Sequence, residues 1–446
     1  MEIAIKIGQF LLSLSLLIVL HEFGHYFPAK LFKTRVEKFF LFFDVKFSLF
    51  QKKIGETIYG IGWLPLGGYV KISGMIDESM DTDAMAEEPK EWEFRSKPAW
   101  QRLIIMLGGV TVNFLIAWFI YIGMMAFYGE TFIANDTMQD GYEITNPLMK
   151  EVGFQSGDKV ISMNGVEYEK YTDIRANFIL ANEVVVERNG VEKTIVLPQD
   201  FLGRLTDAED RSTFELRFPY IIGEFNETSL NKDADVVEGD RVIAINGQPV
   251  RFGEDVRAIN EGFKGQTVTA TILREDVKKQ IELKVDNDGK LGIYPTNKMS
   301  IYTEQGFLDI TRKNYSFSES IGVGSSMFVD KMGWYWGQLQ KIFTPSTGAY
   351  KGVGGFKAIY DIFPDTWVWE NFWGITAILS IMLGVLNLMP IPALDGGHVL
   401  FLVYEMITGR KPGDKFLEYA QIVGFFILIA LVLFANGNDI YRALFK

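Results

Sequence analysis

His21-Glu22-Phe23-Gly24-His25 carries two imidazoles four residues apart with a carboxylate between them. On a helix such a pair falls on one face, about 40° apart around the axis. Both rings can then reach one metal ion, and Glu22 is placed to take a proton from a water that the metal activates. This is the H-E-x-x-H arrangement of metal-assisted hydrolysis. The chain has 3 histidines. The third, His398, ends the other stretch with chemical character, Asn387-Leu388-Met389-Pro390-Ile391-Pro392-Ala393-Leu394-Asp395-Gly396-Gly397-His398. No cysteine is present, so disulfides are excluded and a metal must be held by imidazole and carboxylate.

The elements that must position these groups are apolar. Four stretches are long enough to cross a bilayer: about 5–27, 103–128, 372–394 and 419–438. The first runs into His21 without a small-residue cleavage site, so it reads as a retained span rather than a signal peptide. Ionisable groups at the end of such a span are expensive and point to function. Lys30, Lys33, Arg35 and Lys38 follow the first span, and Arg95, Lys97 and Arg102 precede the second. Arg410, Lys411 and Lys415 lie between the third and fourth, whereas no Lys or Arg appears from Gly129 until Lys150. The positive-inside rule therefore puts both termini outside and the 28–102 and 395–418 loops in the cytoplasm. Spans one and three then run in the same direction, which brings Asp395 to the depth of His21 and His25. His398 stands nearby as a competing third ligand.

Phe39 to Lys71 is aromatic-rich, alternating and punctuated by Gly60, Gly62, Gly67 and Gly68, which predicts hairpin strands beside the membrane. The acidic stretch from Asp77 to Glu93 reads as a solvated connector. Between the second and third spans, Gly157-Asp158-Lys159-Val160-Ile161-Ser162-Met163-Asn164-Gly165 is echoed by Gly239-Asp240-Arg241-Val242-Ile243-Ala244-Ile245-Asn246-Gly247. Each copy is a turn, a strand and an Asn-Gly turn, followed by a β-rich pair, which predicts two tandem β modules. Ile321, Phe328, Met332, Tyr335, Leu339 and Ile342 recur at three- and four-residue steps or their multiples, so 315–345 reads as an amphipathic helix lying on the outer membrane face. A net charge of −12 without a basic patch argues against a nucleic-acid partner.

H-E-x-x-H in a first span, paired with N-x-x-P-x-P-x-L-D-G in a later one, resembles the site-2 protease family of intramembrane zinc metalloproteases. The resemblance extends to Leu64-Pro65-Leu66-Gly67-Gly68-Tyr69-Val70-Lys71 and to the tandem repeat. It implies a polytopic α-helical membrane protein with four transmembrane helices, a membrane-associated β-hairpin region and two tandem PDZ-like α+β domains. In that reading 1–130 is the first membrane part with a cytoplasmic β-loop at 39–71. The PDZ-like domains are 135–210 and 211–302, and 367–446 is the second membrane part. The resemblance makes His21, His25 and Asp395 the ligands of a zinc ion (Zn2+) and Glu22 the general base. Asn387, Gly67, Gly68 and Tyr69 become contacts to substrate backbone. The implied substrates are single-span membrane proteins, of anti-sigma-factor or remnant-signal-peptide type, already trimmed outside the membrane. The implied place is the bacterial inner membrane, with the PDZ-like domains periplasmic, open to peptide ligands, and the active site near the cytoplasmic leaflet. The family's A-G-P-x-x-N stands here as Gly108-Gly109-Val110-Thr111-Val112-Asn113, without the proline; Asn113 reads either as a site residue or as an interhelical hydrogen-bonder. A non-catalytic scaffold that uses the β modules alone is the competing function, and it gives Glu22 no task.

Overall fold

A computed structural model describes residues 2–65, 67–75 and 88–445. The chain forms two compact units, Met1–Glu130 with Asn314–Lys446, and Thr131–Lys313. Residues 77–87 of the expected acidic connector lie outside the described residues, as does Leu66. The connector's last residue, Glu93, is buried against Arg95 at 2.6 Å rather than solvated.

The first unit is built on helices. Among the described residues, four helices are long and apolar enough to cross a membrane: Glu2–Leu31, Ala99–Phe127, Trp369–Asn387 and Lys415–Leu444. Helix α1 (Glu2–Leu31) buries Gln9, Ser13, Leu17, His21, Gly24, His25 and Pro28, a stripe repeating every three or four residues. The His21–His25 pair thus continues the packing face instead of interrupting it. Helix α2 (Ala99–Phe127) buries Arg102, Ile105, Met106, Gly109, Asn113, Ala117 and Tyr121 on the matching stripe. The helices touch backbone to backbone where small residues meet. A Cβ on Gly108 would lie 1.9 Å from the Gly24 carbonyl oxygen, and one on Gly24 would lie 2.4 Å from that of Gly108.

Between these helices the chain forms a four-stranded sheet: β1 (Val36–Leu41), β2 (Phe43–Ile54), β3 (Thr57–Leu64) and β4 (Tyr69–Ile72). The strand order is β2-β3-β1-β4, with β1 parallel to β3 and antiparallel to β4. The glycine-punctuated strand β3 is therefore interior, and the sheet edges are the long β2 and the short β4.

Helix α3 (Phe317–Ile342) is capped by Ser316 and Glu319 in a reciprocal box. The helix expected at 315–345 does form, and its buried edge packs on α2. Trp118 Nε1 donates to Ser325 Oγ at 2.8 Å, and a Cβ on Gly324 would lie 2.6 Å from Ile122 Cα. Helix α4 (Phe356–Ile362) follows; Gly355 N–H donates to Asp439 Oδ2 at 2.9 Å in front of it.

Helix α5 (Trp369–Asn387) ends seven residues before the expected limit of the third span. Pro390 and Pro392 explain the early stop, since neither can donate to a continuing helix. The chain turns at Ala393, whose φ is +82°, and restarts as α6 (Asp395–Thr408). The last helix, α7 (Asp414–Phe445), extends beyond the expected 419–438 at both ends.

The second unit is mixed α and β. The two sequence echoes take the same local form: strand Lys159–Met163, helix Tyr171–Phe178 and hairpin Glu183–Arg188/Val191–Val196, then strand Arg241–Ile245, helix Gly253–Asn260 and hairpin Thr267–Arg274/Val277–Lys284. Both Asn-Gly turns have positive φ at each residue, 51° and 77° at Asn164-Gly165, 46° and 77° at Asn246-Gly247. These are the values that favour Asn and Gly there. Each echo surrounds its own core, one including Phe154, Phe178 and Phe214, the other Ile245, Ile272 and Leu283. A cut at 210/211 misses that Phe214, Ile221, Tyr302 and Leu308 all pack into the first core.

Candidate metal centre

The α1 stripe carries His21 and His25 inward, where they are 8% and 5% exposed. Their Nε2 atoms lie 3.3 Å apart. Asp395, the first residue of α6, brings its Oδ2 to 3.4 Å from His21 Nε2 and 3.2 Å from His25 Nε2. Two glycines make this approach possible. A Cβ on Gly396 would sit 2.3 Å from the Leu388 and Met389 carbonyl oxygens, and one on Gly397 2.5 Å from that of Ile391. Gly109 of α2 clears the other side, since a Cβ there would lie 2.3 Å from His25 Nε2.

The three atoms are close without satisfying one another. Asp395 Oδ2 is buried and has no hydrogen-bond partner, although a lone buried carboxylate oxygen is costly. His25 Nδ1 lies 2.8 Å from the Ile105 carbonyl oxygen. A carbonyl only accepts, so Nδ1 carries a proton, and in the neutral ring that leaves Nε2 as the bare nitrogen facing Asp395. Zinc bonds of 2.0–2.1 Å in a tetrahedron set neighbouring ligand atoms about 3.3 Å apart. The observed separations of 3.3, 3.4 and 3.2 Å fit that edge. The donor set is nitrogen and oxygen, as a chain without cysteine requires.

A cavity of about 480 Å³ opens from this trio and is lined by Glu22, Asn387, His398 and the Gly67-Gly68-Tyr69 stretch. Glu22 lies on the cavity side of α1, and a Cβ on Gly68 would be 3.6 Å from its Cγ. Asn387 Nδ2 is 3.4 Å from His21 Nε2. Strand β4 lines the cavity with Tyr69, Val70, Lys71 and Ile72, and its outer edge has no partner strand among the described residues. Tyr69 is held by its hydroxyl, which donates to Asp44 Oδ1 at 2.8 Å, while Asp44 Oδ2 is 3.3 Å from Lys38 Nζ. His21, Glu22, His25, Gly67, Gly68, Tyr69, Asn387 and Asp395 thus line one cavity, whereas Asn113 does not. His398 lines it too but is outside the group of close ligand atoms, which among the described residues is His21, His25 and Asp395.

The chain matches the sequence profile of Peptidase family M50 over residues 9–431. It belongs to that family. The Regulator of sigma-E protease RseP of Salmonella typhimurium is 25% identical to it over 489 residues, covering 98% of both chains. A Thermotoga maritima protein that carries a zinc metalloprotease name is 27% identical over 514 residues, covering 98% of this chain and 99% of its own. A Rickettsia conorii protein named in the same way is 26% identical over 441 residues, covering 98% of each. This M50 peptidase is a zinc-dependent metalloendopeptidase, and its four long apolar helices make it a membrane-embedded one.

Two features of the centre went unread in the sequence. The Ile105 carbonyl carries no side-chain signal, because it is main chain. Asn113 was visible as a polar residue within an apolar span, but its contact was not. Its side chain is fully buried, with Nδ2 3.0 Å from His21 Nδ1.

Proposed function

We propose that this M50 peptidase hydrolyses peptide bonds within the transmembrane segments of single-span membrane proteins, after their external part has been shortened. The observation that carries this reading is the site's setting. The ligand trio and its cavity are formed along the long apolar helix α1, with His25 six residues before its end, and at the break that follows the long apolar helix α5. A substrate reaching such a site from the bilayer has its carbonyls in helical hydrogen bonds and must unwind before it can react.

In this reading His21, His25 and Asp395 hold the zinc, which supplies Lewis acidity toward a water and the scissile carbonyl. Glu22 takes the proton of the attacking water and returns it to the departing amine, so that water adds across the C–N bond and two termini result. The edge of β4 pairs with the unwound segment, and Gly67 and Gly68 let that backbone come close to Glu22. Asn387 offers its amide to a substrate carbonyl freed from its helix. Tyr69, tied to Asp44, keeps the edge strand in register.

The two echoes of the second unit act as PDZ-like modules, with boundaries near 135–210 and 211–302 and the shared residues noted above. They face the periplasm and restrict access to chains with small external parts, and they can hold extracytoplasmic peptides. The protein sits in the bacterial inner membrane with its centre toward the cytoplasmic leaflet, as the basic loops support. Anti-sigma factors and remnant signal peptides are the substrate types this implies.

The test is cleavage of a tagged single-span peptide in proteoliposomes by wild type, Glu22→Gln and a chelator-treated sample. The reading predicts cutting inside the membrane segment by wild type alone, restored by zinc after chelation. Cleavage that persists in Glu22→Gln, or a cut only in the flanking soluble sequence, would contradict it.

A further inference from the structure

The two histidines of the centre are anchored differently. His25 is fixed by a main-chain carbonyl, which can only accept. His21 meets the carboxamide of Asn113, which can either donate or accept. Asn113 is 0% exposed and reaches the ring from α2. Its position is itself secured, because Ser380 Oγ of α5 donates to the Asn113 carbonyl oxygen at 2.7 Å. Three helices therefore meet at this one residue, α1 at its side chain and α5 at its main-chain carbonyl.

The two ends of a carboxamide have the same shape, so hydrogen bonding decides which end faces the ring. If the NH2 group faces His21 Nδ1, that nitrogen must be bare, and Nε2 then carries a hydrogen aimed at the other ligands. In either orientation the end of Asn113 that points away from the ring is buried without a partner, so the choice rests on the ring. If the oxygen faces the ring, Oδ1 gains an N–H to accept and Nε2 presents its lone pair toward His25 Nε2 and Asp395 Oδ2. Only the second arrangement gives the trio two bare imidazole nitrogens.

We propose that Asn113 is a positioning residue for the metal centre. Its side-chain oxygen accepts the His21 Nδ1–H and so selects the ring form whose Nε2 can bind zinc. Ser380 holds α2 and α5 together behind it. The role extends the ligand assignment made above and rests on it.

Zinc affinity of the full-length chain in detergent, measured by competition with a chromogenic chelator, separates the two. His21→Ala tests the ligand assignment. Asn113→Leu removes both ends of the amide, and Asn113→Asp keeps an oxygen acceptor without the NH2. Loss of an outer hydrogen bond to a metal-bound histidine weakens binding about 10–100-fold. That drop is expected for Asn113→Leu, with Asn113→Asp recovering most of the affinity. A drop as large in Asn113→Asp would mean that the NH2 end makes the contact and would overturn the proposal. Unchanged affinity in Asn113→Leu would overturn it too. If His21→Ala also binds zinc normally, the ligand assignment is what has failed.

Because the chain has 3 histidines, 15N-histidine spectra of the zinc-loaded protein give a second readout that does not depend on a variant folding. His21 is expected with its proton on Nδ1. A proton on its Nε2 would refute the proposal directly.

Discussion

Asp158 is a buried carboxylate and Asp395 a largely buried one whose Oδ2 is shut off from solvent, and their surroundings differ in kind. Asp158 accepts from Arg188 Nε at 2.6 Å and Nη2 at 2.7 Å, and from the Gln155 N–H at 2.9 Å. Its counterpart in the second echo, Asp240, accepts from Arg274 Nε at 2.8 Å and Nη2 at 2.7 Å, and from the Val237 N–H at 2.9 Å. The protein meets the needs of these two groups completely, and the repeated arrangement serves the turn that begins each strand. Asp395 instead faces two imidazole nitrogens at 3.4 and 3.2 Å, and its Oδ2 has no hydrogen-bond partner. A buried charge that its own chain satisfies is structural. One left open beside two imidazoles is the group we propose to hold a cation.

The comparison can be broken at either end. Asp395→Ala should lower cleavage by roughly 1,000-fold or more, about 4 kcal/mol of transition-state stabilisation. The thermal transition of the metal-free chain should fall little or rise, since an unsatisfied carboxylate has been removed. A large loss of metal-free stability would make Asp395 a structural group after all. Asp158→Ala should behave in the opposite way. It strands Arg188 and should cost about 3–5 kcal/mol locally, read as lost hydrogen-exchange protection in Lys159–Met163 and Glu183–Arg188, with zinc binding unchanged.

Gly109→Ala sharpens the membrane end of the contrast. The added methyl meets His25 Nε2, so zinc affinity measured by chelator competition should fall about tenfold or more, about 1.4 kcal/mol. The smallest effect is expected from replacing both members of the satisfied pair. Asp158→Leu with Arg188→Met should regain most of the exchange protection that Asp158→Ala loses, because a buried ion pair is often no better than an apolar one of similar volume. If the double variant were as damaged as the single one, the pair would contribute more than mutual satisfaction.

Much of the centre was legible because the groups brought together there are side chains in recognisable motifs. His21 and His25 lie on the packing stripe that the apolar periodicity of α1 already defines, and Gly396-Gly397 marks the tight turn that delivers Asp395. The span lengths were less legible. Apolarity continues past Asn387, yet the prolines end α5 there, so composition overran the helix. In the β-loop, glycine spacing showed strands but not their order, and β3 proved interior while β2 and β4 took the edges. The stripe along α3 announced a buried face without naming its partner, which is α2. Gly24 and Gly108 look unremarkable in sequence, and only the backbone contact between helices explains them.

The most direct test is the metal content and X-ray absorption of the purified full-length protein, compared among wild type, Asp395→Ala and Asp158→Ala. Wild type and Asp158→Ala should each retain one equivalent of zinc with nitrogen and oxygen ligands at about 2.0–2.1 Å, and Asp395→Ala should lose it during gel filtration. Zinc kept with unchanged ligand distances in Asp395→Ala would show that its open carboxylate does not hold the metal, and would contradict the account.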